Sequence, residues 1–106
     1  MRVLLDQGAP APLVKYLPDH YVSTAHECGW ESLNNGELLQ QAEEAGFDVL
    51  ITTDQNLQYQ QNLSSRKIGI VVLTTTSWPR IQRHLEAISG AVDSAGPGSY
   101  IEVTIP

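Results

Sequence analysis

Two aspartates each close a short apolar run of β type. Asp6 follows Val3-Leu4-Leu5, and Asp54 follows Val49-Leu50-Ile51-Thr52-Thr53. If the two runs are neighbouring parallel strands, both carboxylates lie at the carboxyl-end edge of one sheet, where open α/β sheets bind ligands. Carboxylates brought together repel unless a proton or a cation lies between them. The chemistry to weigh first is a Mg²⁺ or Mn²⁺ centre, because a few hard oxygen ligands suit ions that keep several of their waters. Glu37, at the start of the helix before the third strand, and Asn56, two residues past Asp54, could add oxygen ligands. Each also has a plain structural use. An acid at a helix start favours the helix dipole, and Asn or Asp after a strand commonly closes a turn or caps the next helix.

Other chemistry has less behind it. His26 and Cys28 are two residues apart, with His20 nearby and His84 distant. A zinc site needs about four ligands at recognisable spacing, and no Cys-x₂-Cys half is present. Cys28 has no nucleophile signature around it. Trp30 and Trp78 could stack a base or fill gaps between helices and sheet. No glycine-rich phosphate loop of Walker or dinucleotide type occurs.

The elements that must position these residues follow from periodicity and punctuation. Arg2–Leu5 reads as a strand, and Pro10 and Pro12 open a short helix over Ala11–Leu17. His20–Thr24 reads as a second strand. Asn35 is expected to cap a helix over Gly36–Ala45, with Leu38, Leu39 and Ala42 inward and Gly46 as its stop. Phe47–Thr53 is a buried strand, and Asp54 or Asn56 caps a helix reaching about Leu63. The continuous apolar run Ile68–Leu73 suits a strand covered on both faces. Pro79 opens a helix to Ser89 with Ile81, Leu85 and Ile88 on one stripe. Gly90–Gly98 reads as flexible, and Tyr100–Ile105 as a terminal edge strand. Strands alternating with helices predict a three-layer α/β/α sandwich in a single domain over 1–106. Its central sheet has about five mostly parallel strands, the first beside the strand ending at Thr53.

Composition narrows the function classes. A chain of 106 residues with one cysteine excludes an internal disulfide framework and suits a reducing cytoplasm. No apolar stretch is long enough to span a bilayer, and the first residues lack the apolar region of a signal peptide. The net charge of −6 is uneven: residues 1–54 hold nine acids against Arg2 and Lys15, and residues 55–106 hold three acids against four bases. An acidic half does not attract nucleic acid, because phosphate binding is driven by Lys and Arg. Nucleic-acid chemistry here would need a metal ion to invert the local field, with Arg66, Lys67, Arg80 and Arg83 guiding the substrate.

Three segments in order carry a resemblance. They are Val3-Leu4-Leu5-Asp6 followed by Pro10 and Leu13, then Asn35-Gly36-Glu37-Leu38-Leu39, then Val49-Leu50-Ile51-Thr52-Thr53-Asp54-Gln55-Asn56. This pattern resembles small PIN-like proteins related to VapC-type toxins. Ile70–Leu73, a helix with Trp78 and a last strand after Pro97-Gly98 also fit, so the resemblance spans nearly the whole chain. It implies a metal-dependent ribonuclease, with Asp6, Glu37 and Asp54 as the catalytic and metal-binding carboxylates. Beside what the resemblance implies, Asn56 could be a further metal ligand, Thr52 or Thr53 could orient a ligand or bind phosphate through its hydroxyl, and Arg80 and Arg83 would guide the substrate. The resemblance also implies RNA as substrate, an antitoxin protein as partner and a homodimer as assembly. Three residues depart from the pattern: Asn35 and Asn56 stand where aspartates are usual, and Gln7 where an acid is common. They imply the alternative of a degenerate scaffold that binds a partner without catalysis. A second alternative is a module resembling response-regulator receivers, with Asp54 after the third strand and Thr74–Thr76 after the fourth. The chain lacks their acidic pair before the first-strand aspartate and their lysine after the fifth strand.

Overall fold

The computed structural model describes residues 1–57, 63 and 65–106. Five strands form one sheet: β1 (Arg2–Leu5), β2 (Tyr21–Thr24), β3 (Val49–Thr52), β4 (Gly69–Leu73) and β5 (Tyr100–Val103). Their spatial order is β2-β1-β3-β4-β5, and every neighbouring pair is parallel. β1 is internal and lies beside β3, with Leu5 opposite Ile51. β5 forms one edge of the sheet, as its alternating pattern leads one to expect.

Residues of alternating parity serve two cores. Val3, Leu5, Val49, Ile51, Val71 and Leu73 face one side, while Leu4, Leu50, Ile70 and Val72 face the other. A sheet buried on both faces needs apolar residues at successive positions, and β3 and β4 are buried throughout. The second face is covered by α1 (Asn35–Glu44) through Leu38, Leu39 and Ala42. The first is covered by a 3₁₀ helix (Ala11–Tyr16) through Leu13, and by the helical segment after β4 through Ile81, Ile88 and Val92. The molecule is thus α/β, with helices on both faces of a wholly parallel sheet.

Some expected boundaries move. The cap of α1 is Asn34, not Asn35. Its side chain accepts from the Glu37 amide while the Glu37 carboxylate accepts from the Asn34 amide, a capping box. Gly46, at φ 87°, ends the helix in the left-handed conformation that glycine adopts without strain. The segment after β4 is broken into α2 (Trp78–Ile81), a 3₁₀ turn (Gln82–His84) and α3 (Leu85–Ser94). α3 runs through Gly90 into the stretch expected to be flexible. The burial of Ala91 and Val92 outweighs the ~1 kcal/mol that glycine costs inside a helix. The helix expected from Asp54 or Asn56 to about Leu63 lies largely outside the described residues.

Candidate active site

The strand order reverses between β1 and β3, since β1 leads outward to β2 while β3 leads the other way to β4 and β5. In open α/β sheets such a switch point opens a crevice outside the carboxyl ends of the strands. Asp6 leaves β1 there, and its amide still donates to Ile51 O at 2.9 Å, so β3 holds its backbone in strand register. Asp54 leaves β3 two residues after the strand ends.

Thr52 joins the two aspartates. It is fully buried. Its hydroxyl donates to Asp6 Oδ2 at 2.7 Å and accepts from the Asp54 amide at 3.1 Å. The remaining carboxylate oxygens also have partners. Asp6 Oδ1 accepts from the Gln7 amide at 2.8 Å, and Asp54 Oδ1 accepts from the Asn56 amide at 3.0 Å. Asp54 Oδ2 accepts from Asn35 Nδ2 at 2.8 Å. Every one of these donors is electrically neutral, and neither aspartate takes part in an ion pair among the described residues.

Thr53 flanks the edge. A Cβ on Gly8 would come within 2.5 Å of Thr53 Oγ1, so glycine lets the loop after Asp6 lie against that hydroxyl. Asn56 is exposed and supports Asp54 through its backbone. Glu37 is not gathered with the aspartates: it is exposed, and its carboxylate is turned back onto its own helix start. Arg80 and Arg83 are exposed on α2 and the following 3₁₀ turn, unpaired among the described residues. Lys15 is exposed beside Tyr16, whose ring meets Trp78 at 5.6 Å. A surface hollow over residues 82–87 includes Arg83, but no strand-end aspartate lines it.

The alternative ligand set is dispersed. His20 Nε2 lies 2.9 Å from Asp93 Oδ1, and His26 is 3.9 Å from Glu31. Burial pushes the Cys28 thiol above its ordinary pKa, the Glu27 charge adds to this, and the Arg2 charge opposes it. A thiol held protonated is a poor nucleophile. Trp30 packs edge-on against Phe47 in the core on the α1 side.

The residues gathered at the edge are two carboxylates, a hydroxyl and an amide. That donor set fits Mg²⁺ or Mn²⁺ held by Asp6 and Asp54, since Mg²⁺ is bound through one or two carboxylates plus waters. It does not provide a third acid: among the described residues no group of three or more His, Cys, Asp or Glu is placed to hold a metal. Thr52, one of two threonines expected to orient a ligand, links the aspartates; the Thr-x-Asp spacing signals its bond to the Asp54 amide, and strand register supplies its bond to Asp6. Asn35, expected as the helix cap, is instead a partner of Asp54. Comparisons with protein-family models, curated proteins and solved structures give no match for this chain.

Proposed function

We propose that the chain is a PIN-like, metal-dependent ribonuclease that hydrolyses RNA phosphodiesters at the Asp6–Asp54 edge. The observation that carries the reading is the convergence of both aspartates on one buried hydroxyl at the point where the strand order reverses. Asp6 and Asp54 would hold the ion. When bound, Mg²⁺ or Mn²⁺ supplies an activated water and neutralises the charge developing on the phosphate.

The chain's own residues have separable tasks. Thr52 fixes the rotamer of Asp6 and the backbone of Asp54, so that both carboxylates stay at the edge. Gly8 and Thr53 close the first loop over β3. Arg80 and Arg83 carry the positive charge that an RNA backbone needs in a molecule whose net charge is −6. The Tyr16–Trp78 ring pair, with Lys15 next to Tyr16 in the chain, gives bases a stacking surface. In this reading the protein is the toxin half of a toxin–antitoxin pair, with an antitoxin protein as partner and a homodimer as assembly.

A second reading, a PIN-like scaffold that binds a partner without catalysis, is favoured by one specific feature. The Glu37 carboxylate is engaged in the capping box and a neutral amide sits on Asp54. A receiver-like phosphate switch is less well supported. It would use a hydroxyl of Thr74–Thr76 at the edge, but Thr74 Oγ1 accepts from the Ile105 amide at 2.8 Å and Thr75 Oγ1 from the Ser77 amide at 3.1 Å.

The test is cleavage of a mixed RNA pool by purified protein in Mn²⁺, Mg²⁺ or EDTA, beside Asp6→Asn and Asp54→Asn. The expected outcome is metal-dependent cleavage abolished by either substitution in a protein that still folds, the relief of like-charge repulsion offsetting the hydrogen bond that an amide at these positions gives up. Equal cleavage by Asp6→Asn would end the nuclease reading. Loss of folding in both variants would mark the aspartates as structural.

A further inference from the structure

We propose that Asn35 is a neutral clasp on Asp54: its amide lets the acidic edge hold together without a cation and keeps the edge's affinity for a divalent cation low. The inference rests on the metal-site reading above and concerns how that site is tuned.

The geometry is specific. Asn35 is the first residue of α1, and its backbone is fixed by the capping box between Asn34 and Glu37. From there Nδ2 reaches Asp54 Oδ2, 19 residues on, at 2.8 Å, and both residues are half-buried. An amide NH₂ presents only hydrogens, so it satisfies a carboxylate oxygen as a cation would, at no net charge. Asp6 Oδ2 has its own neutral donor in Thr52. A cation entering the edge must therefore share or displace the Asn35 hydrogen bond.

An aspartate at position 35 has nearly the same shape and the opposite demand. It would set a second carboxylate oxygen at hydrogen-bond distance from Asp54 Oδ2, which requires a proton or a cation between them. Ligand charge count is one of the quantities that sets the affinity of oxygen sites for divalent cations. Asn35→Asp should therefore turn a weak or silent site into a cation-dependent one. Asn35→Ala, which removes the donor and adds no charge, should act in the same direction and more weakly.

The experiment is calorimetric titration of Mn²⁺ into the intact chain, its Asn35→Asp and Asn35→Ala variants and Asp54→Asn. It is paired with melting temperatures in EDTA and in millimolar Mn²⁺. The expected result is about tenfold or more tighter Mn²⁺ binding by Asn35→Asp than by the parent, the effect of an added ligand charge. Its melting temperature should fall in EDTA and recover in Mn²⁺, while the parent's responds little. Measurable parent binding with no tighter binding by Asn35→Asp would overturn the clasp and leave the metal-site reading standing. Binding by Asn35→Asp alone would support the clasp and count against metal-dependent catalysis in the native chain. Absence of binding in all four proteins would overturn both.

Discussion

The two ends of β1 and β3 solve the same problem in opposite ways. At the amino edge, opposite charges meet. The Arg2 guanidinium donates to Ala45 O at the end of α1 and lies 4.5 Å from the centre of the Phe47 ring, while the Arg2 amide donates to Asp48 Oδ2. Beside it, Glu43 receives Arg66 and the Lys67 amide. At the carboxyl edge two aspartates meet with only neutral donors around them: Thr52, Asn35 and backbone amides. Charge balance at the first edge closes the structure. At the second edge no cation is paired with either aspartate among the described residues. The first edge is tied by a cation on a carboxylate, and the second holds its two acids with neutral donors alone.

The strongest way to break this contrast is to remove the hydroxyl that joins the aspartates. Thr52→Val keeps shape and burial but leaves Asp6 Oδ2 and the Asp54 amide short of a partner. Unpaired groups in a buried setting cost about 1–3 kcal/mol, so chemical denaturation should show a loss in that range. Thr52→Ser should recover most of it. A fully stable valine variant would mean that backbone register alone holds the aspartates, and that the hydroxyl is incidental.

Arg2→Ala attacks the other edge. α1 has no basic residue in its last turn, so the cation that complements its C-terminal carbonyls arrives from β1. Loss of that contact and of the ring beneath it should cost about 1 kcal/mol, a typical cation–π increment at an exposed site. Arg2→Lys should restore little, because an ammonium cannot span ring and carbonyl as a planar guanidinium does. Neither variant should alter Mn²⁺ binding at the opposite edge. A change there would show that the two ends are coupled through β1 and β3.

Much of this arrangement was legible in the residues. The apolar runs before Asp6 and Asp54 placed both acids at one edge, because parallel strands buried on both faces leave few other patterns. α1 was legible to within a residue from Leu38, Leu39, Ala42 and Gly46. Its cap was also readable, since Asn34-x-x-Glu37 is a capping-box signature, but two consecutive asparagines have equal capping propensity. Choosing Asn34 assigns Glu37 to the helix start and frees Asn35 for Asp54. The Thr52 link depends on the Leu5–Ile51 register, a long-range pairing that no local pattern encodes. The pairing of His20 with Asp93 spans 73 residues and was equally out of reach. Local propensity at Gly90 points to a loop, and the burial of Val92 overrides it, carrying α3 past the glycine.

The smallest expected effect is the one with a pH signature. Glu43 accepts from Arg66 Nη1 and from the Lys67 amide, both at 2.7 Å, tying the end of α1 to the entry of β4. Burial alone would push its carboxyl up. The Lys67 amide, the Arg66 hydrogen bond and the two positive charges outweigh burial and hold it below its ordinary 4.5. A carboxyl whose pKa is lower in the folded chain than in the unfolded one adds stability that is fully present above the unfolded value. That stability is lost as pH falls through the folded value. Glu43→Gln should therefore be less stable than the parent at neutral pH by up to about 1 kcal/mol, the scale of a partly exposed pair. The gap should close as the pH drops below the ordinary carboxyl range, which urea midpoints measured across pH will show. A gap that stays constant with pH would mean that shape rather than charge anchors β4. The amino edge would then lose the charge balance that distinguishes it from the carboxyl edge.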